Sequence, residues 1–182
     1  HLALITYAAS RCSLLHIFVV EEDRSLFPFE VRMRLVKEGT AHLPNVKVHP
    51  SGPYMISSAT FPTYFLKKGE DAARIQSELD IPLFASRIAP LFHITKRFAG
   101  EEPLDPVTRD YNEAMIRLLP QYSISFIKIA RTTAETPEGK PEVISASRVR
   151  KLLAETGVTE EVLQLVPPCT AQYLKNEFGA RP

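Results

Sequence analysis

The run Ile144-Ser145-Ala146-Ser147-Arg148-Val149-Arg150, followed by Lys151-Leu152-Leu153, combines residue types and spacing suited to holding an anion. It reads as a short polar turn feeding a helix whose first turn carries two arginines. Ser145 or Ser147 can cap that helix and leave backbone N–H groups directed at an anion. Hydroxyls, N–H groups and the Arg150 guanidinium could together hold a polyphosphate. The same residues also describe an ordinary serine cap with its arginines in solvent. Other phosphate and nucleophile devices are absent. No two glycines have the spacing of GxGxxG, Gly139-Lys140 runs into Pro141 in a polar loop, and there is no GxSxG elbow. His42 and His49 lie beside a loop without a Cys or carboxylate cluster, so no metal site is expected there. Cys12 and Cys169 form no CxxC pair and read as inert thiols.

The elements that must position this turn alternate along the chain. Leu2 to Cys12 carries a helical stripe through Ile5, Ala8, Ala9 and Cys12, and Ser13 to Val20 suits a strand buried on both faces. Pro28 opens a helix with Val31, Leu35 and Val36 inside and Gly39 at its end; Val46 to His49 is a short strand closed by Pro50. A helix is predicted from about Glu70 to Leu79 and a strand from His93 to Ala99, ending at Gly100. Val107, Tyr111, Met115 and Leu118 give the next helix its stripe, and Ser123 to Ala130 the last strand. Thr132 to Glu142 reads as loop, and helical segments follow at Arg148 to Ala154, Glu160 to Leu165 and Ala171 to Phe178. Strands separated by helices predict βαβ units, hence an α/β domain with a doubly wound parallel sheet and C-terminal helices. Ligands of such sheets bind beyond the carboxyl ends of the strands.

Composition narrows the function classes. The 182 residues are 45% hydrophobic and 24% charged, ordinary for a single globular domain. With 22 Lys and Arg against 21 Asp and Glu, the net charge of +1 gives no reason to expect nucleic acid or a membrane surface as partner. The longest apolar stretches, such as Leu14 to Val20, are too short to span a bilayer. The first fifteen residues read as a helix rather than a signal peptide, so a cytoplasmic location is expected. Fifteen prolines against seven glycines, and an opening His1 in place of Met, suggest a piece of something longer.

ISASRVR resembles the ISSTxxR signature of the HxGH nucleotidyltransferase superfamily, whose members act at the α-phosphate of a nucleoside triphosphate. Further segments resemble the citrate lyase ligase family. These are Glu22 to Phe29 (EDRSLFPF), Asn45 to Pro50 (NVKVHP), Ile56 to Lys67 (ISSATFPTYFLK), Arg97 to Pro103 (RFAGEEP) and Val107 to Asn112 (VTRDYN). The resemblance covers nearly the whole chain, from His1 to Phe178. It implies an ATP-dependent ligase that activates acetate as an acetyl-adenylate. The acyl group then passes to the thiol of the phosphoribosyl-dephospho-CoA arm on the citrate lyase acyl-carrier subunit, and AMP and pyrophosphate are released. Two alternatives stand beside it: an adenylyltransferase on a phosphopantetheine-like acceptor, and a non-catalytic nucleotide-binding or carrier-docking module. Against the family pattern, His1 looks like the last histidine of the HxGH motif. A single domain over residues 1–182 is therefore expected to lack its first strand and an N-terminal acetyltransferase-like domain.

The resemblance also implies roles. His1 would stabilise the α-phosphate charge as a hydrogen-bond donor, alongside Ser147 and Arg150. Arg24, Arg32, Gly100, Glu101, Ser145, Ser147, Arg148 and Arg150 would meet the nucleotide, with Arg32 equally readable as a helix-face ion pair. Glu101 and Glu102 could instead cap the Val107 helix. Ser58, Thr60 and Lys67 fall in the family-specific block and would meet acetate or the carrier arm. Arg109 and Asn112, expected to face away from the core, could join them, whereas Tyr111 reads as packing and Arg97 as strand-edge charge. Mg2+ is expected with the triphosphate and needs few protein ligands.

Overall fold

A computed structural model describes residues 1–21, 26–53, 55–57, 70–102, 105–130, 133–135 and 141–179. Helix α1 (Leu2–Ala9) leads into β1 (Leu15–Val19), α2 (Phe29–Thr40) and β2 (Val46–Pro50). Helix α3 (Glu70–Leu83) precedes β3 (Lys96–Gly100), α4 (Pro106–Leu118) and β4 (Ser125–Ile129). After β5 (Thr133–Glu135) and β6 (Pro141–Val143), the chain closes with α5 (Ala146–Thr156), α6 (Glu160–Gln164) and α7 (Pro168–Phe178).

The alternation produces two βαβ units. β1 pairs in parallel with β2, and β3 with β4, each over five residue pairs. Backbone bonds extend both ladders at their carboxyl ends: Ser51 N donates to Val19 O at 2.9 Å and Glu101 N to Ile129 O at 2.8 Å. Among the described residues these ladders are separate two-stranded pairs. The stretch expected to be loop contains the antiparallel pair β5–β6, whose three-residue strands are too short to leave a periodic signal.

Two joints between helix and strand repeat the same construction. After α3 the chain widens into a π-helical turn (Phe84–Ile88) and tightens into a 3-10 turn (Ala89–Phe92). His93 then takes a left-handed conformation, φ +53°, and Ile94 N donates back to Ala89 O at 2.9 Å. After α4, a 3-10 turn (Leu119–Tyr122) ends on Ser123 at φ +58°, and Ile124 N donates to Leu119 O at 3.2 Å. Both are left-handed helix stops with an apolar residue following into the core. They explain why β3 and β4 begin later than the apolar runs suggest: His93 and Ser123 belong to the stops. α3 also runs past its predicted end, because Pro82 is accommodated within the helix and Ser86 Oγ donates to Pro82 O at 2.7 Å.

The main core lies where α3 and α4 meet the strands. Ile81, Phe84, Met115, Leu119 and Ile124 are buried in it, and Phe18, Ala99 and Phe126 pack against it from the strands. A smaller core joins the C-terminal helices: Leu153, Val162 and Leu174 are buried together, with Phe27, Val149 and Leu152 around them. β1 is less buried than a strand covered on both faces; only Val19 is fully enclosed. Its inner face carries an imidazole pair, with His16 Nδ1 3.0 Å from His49 Nε2 and the Phe92 ring edge-on to both.

One neutral ring of that pair donates to the other. Burial lowers both imidazoles below the ordinary 6.5. For His16 the His49 and Lys47 charges add to burial, and for His49 Lys47 does so. The folded pair therefore binds fewer protons than the unfolded chain once the pH falls below about 6.5, and acid favours unfolding. Thermal midpoints are expected to be steady above pH 7 and to fall progressively between pH 6.5 and 5. A His49→Gln variant followed over the same range should show a shallower decline.

Candidate functional site

The start of α5 resolves which serine caps it. Ser145 is extended, φ −135° and ψ 152°, and its Oγ accepts from Arg148 N at 3.1 Å. Ser145 O accepts from Val149 N at 3.1 Å, closing the first turn. The amides of Ala146 and Ser147 stand at the open end of the helix, where no intrahelical carbonyl reaches them. Ser147 is thus released from capping: it is exposed, and its Oγ accepts from Arg150 Nη2 at 3.1 Å.

The two arginines divide. Arg148 is only 10% exposed at its side chain, and its Nη2 donates to Glu161 Oε1 on α6 at 3.3 Å. Its charge ties α5 to α6 across the smaller core. Arg150, two residues on, remains exposed beside Ser147. The helix start therefore offers amide donors, one hydroxyl and one guanidinium to an incoming anion, a donor set that fits phosphate oxygens.

The loop after β1 reaches this helix through Phe27, which joins the apolar cluster containing Val149 and Leu152. Arg32 fastens the loop at both ends: Nε donates to Phe27 O at 3.0 Å and Nη1 to Val20 O at 2.6 Å. Arg24 lies outside the described residues, as do Ser58, Thr60 and Lys67.

At the end of β3, Gly100 O accepts from Asn112 Nδ2 at 3.0 Å, and Asn112 is 3% exposed. The expectation that Asn112 faces away from the core is corrected: its amide closes the α4–β3 contact. Arg109 does face solvent, with Nε 3.9 Å from Asp110 Oδ1. Glu101 is exposed beside Gly100. Glu102 Oε1 accepts from Asp105 N at 3.2 Å, and Thr108 Oγ1 donates to Asp105 Oδ2 at 2.6 Å, so Glu102 and Asp105 organise the entrance to α4. His1 precedes α1, its carbonyl accepting from Ile5 N at 3.0 Å. Among the described residues no three His, Cys, Asp or Glu side chains converge as metal ligands, and no helix is long and apolar enough to cross a membrane.

A polar network under the start of β3 joins residues that the sequence does not single out for chemistry: Tyr111, which reads as packing, Arg97, which reads as strand-edge charge, and Asp80. Asp80, 1% exposed, accepts the Tyr111 hydroxyl on Oδ2 at 2.6 Å and the Ile56 N–H on Oδ1 at 2.8 Å. Arg97 Nη2 donates to the Tyr111 hydroxyl oxygen at 3.1 Å, which places Arg97 in the interior network rather than on a strand edge. Burial pushes the Tyr111 phenol above its ordinary range; the Arg97 charge opposes this and the Asp80 carboxylate adds to it, so the hydroxyl stays protonated. Asp80 was legible in principle: Ser77, Asp80, Ile81 and Phe84 fall on one helical face, with a charge inside an apolar stripe. The exposed Ile75 and Leu79 on the opposite side of α3 obscure that pattern.

Comparison with known proteins adds one consistent result. The family model of the citrate lyase ligase C-terminal domain matches residues 1–174. A citrate (pro-3S)-lyase ligase of Escherichia coli (strain K12) is 42% identical over 176 residues, 97% of this chain and 50% of that protein. One from Klebsiella pneumoniae is 42% identical over 178 residues, 96% of this chain and 50% of its own length. One from Haemophilus influenzae is 38% identical over 180 residues, 96% of this chain and 52% of its own. The chain spans about half the length of these curated relatives.

The division of the arginines is testable by stability. Arg148→Ala removes a largely buried guanidinium from its pair with the partly exposed Glu161 and should cost roughly 1–2 kcal/mol. Arg150→Ala should stay within about 0.5 kcal/mol of the parent, as for other exposed positions. Ser145→Ala should cost about 1 kcal/mol through loss of the cap. Urea denaturation of the three variants beside the parent measures all of these.

Proposed function

The chain belongs to the citrate lyase ligase family, matching its C-terminal domain, and from that premise we propose that it is the ATP-using half of an acid–thiol ligase. The observation that carries this reading is the start of α5, where Ser145 alone does the capping and Ser147, Arg150 and two amides are left for an anion. The chemistry has two steps. An acetate oxygen attacks the α-phosphorus of ATP, the new O–P bond forms as the bond to pyrophosphate breaks, and acetyl-adenylate results. The thiolate of the phosphoribosyl-dephospho-CoA arm on the citrate lyase acyl carrier then attacks the acyl carbon, and AMP leaves.

In the first step negative charge builds on the α-phosphate oxygens. Donors already in place at the α5 start, with the ring of His1 as a further donor, would stabilise that charge more than the ground state. Arg24 would meet the outer phosphates, and Gly100 with Glu101 the adenosine. Arg148 serves this site by holding α5 against α6. Ser58, Thr60, Lys67 and Arg109 would meet acetate or the carrier arm, whereas Asn112 acts through Gly100. Mg2+ would be held chiefly by phosphate oxygens. In this reading the pairs β1–β2 and β3–β4 are the two halves of one doubly wound sheet, with the nucleotide at their carboxyl ends.

Pyrophosphate release from ATP and Mg2+, with and without acetate, tests the proposal. Acetate-dependent release is expected, and Arg150→Ala should reduce it by roughly a hundredfold or more while the protein stays folded. Release coupled instead to a stable adenylylated product on a phosphopantetheine-like acceptor would favour an adenylyltransferase. ATP binding with no release under any condition would make the chain a docking module and overturn the ligase reading.

A further inference from the structure

Ile56 has φ +47°, in the left-handed region that a β-branched residue enters only when its surroundings hold it there. What holds it is a chain of contacts through the interior. Its N–H donates to Asp80 on α3, Asp80 accepts from the Tyr111 hydroxyl on α4, and that hydroxyl accepts from Arg97 on β3. The Arg97 guanidinium lies 4.4 Å over the Phe84 ring, and its buried Nη1 has no hydrogen-bond partner among the described residues. The neighbouring Asn112 donates to the carbonyl of Gly100 at the far end of the same strand.

This arrangement is costly as a source of stability alone. A buried acid, a partly satisfied guanidinium and a strained backbone could be exchanged for apolar packing, often with a gain in stability. What they achieve is a fixed spacing. The turn at Met55–Ser57 is linked to β3 through the Asp80 carboxylate and the Tyr111 phenol. We infer that Tyr111 is a positioning residue: its hydroxyl holds the strained turn at Ile56 against β3. The turn and the Gly100–Glu101 strand end thereby keep one relative placement. The inference rests on the proposed reading, in which Ile56 and Ser57 open the acid or carrier-arm block and Gly100–Glu101 face the nucleotide.

The experiment compares the parent chain with Tyr111→Phe, which keeps the ring and removes the hydroxyl. Two quantities are measured: KM for acetate and for ATP in pyrophosphate release, and hydrogen exchange at the Ile56 amide. Loss of a hydrogen bond to a charged partner should raise the acetate KM roughly tenfold or more, with the ATP KM within about twofold, and should speed exchange at Ile56. Asp80→Asn, which leaves an acceptor for Ile56 but none for the phenol, should act alike and serves if Tyr111→Phe folds poorly. Adding Ile56→Gly to Tyr111→Phe should bring the acetate KM part of the way back, because glycine takes this conformation without strain. A lower melting temperature with acetate KM unchanged would overturn the inference, whether or not Ile56 exchange quickens. A parent chain that releases no pyrophosphate would count against the ligase reading. The exchange comparison would then decide on its own, with equal Ile56 protection in parent and variant overturning the tie.

Discussion

A carboxylate that leaves water must find donors, and Asp80 finds its donors on segments far apart in the sequence. It is 1% exposed on the helix face that also carries Ile81 and Phe84, and takes N–H and O–H groups from Ile56 and Tyr111. This requirement fixes more than the side chain. It sets how far α3 can rotate about its axis, since turning Asp80 outward would also expose Ile81 and Phe84. It sets the depth of α4, since Tyr111 must reach Asp80 and Arg97 together. The apolar contacts around the network supply most of the stabilisation, but they are tolerant of small slips; the charge is not.

The second organising feature is the satellite core beneath the C-terminal helices. Leu153, Val162 and Leu174, buried together, give α5 the packing it needs, as an eleven-residue helix is marginal in isolation. The Arg148–Glu161 pair crosses the edge of this core and Phe27 brings the β1 loop to it. The start of α5 is therefore held by packing on the opposite side of the helix, and its exposed Ser147 and Arg150 stay outside that core.

Much of this was readable in the residues. The order of strands and helices, the α4 stripe and the SASR turn all follow from local pattern, because each depends on neighbours within a few positions. What escaped depends on distance in sequence or on backbone conformation. The left-handed His93 and Ser123 have no glycine to announce them, so strand starts were placed early. α3 runs to Leu83, beyond the predicted Leu79, and holds Pro82 inside it, where a proline ordinarily breaks a helix. The roles of Arg148 and Arg150 look alike in sequence; the burial of Arg148 against Glu161, thirteen positions later, separates them. Asn112 belongs to the buried face of α4, yet an amide in an otherwise mixed helix gives no sign that a strand carbonyl awaits it.

The twin helix-to-strand joints bear on how such a domain tolerates change in length. Each closes within six residues, from Ala89 to Ile94 and from Leu119 to Ile124, and each delivers an isoleucine to the core. An insertion inside either joint would shift the following strand against its partner and turn alternate side chains to the wrong face. Variation in chain length over evolution should therefore be rare inside these joints and collect at the opposite, carboxyl ends of the strands, so that one frame can carry different loops.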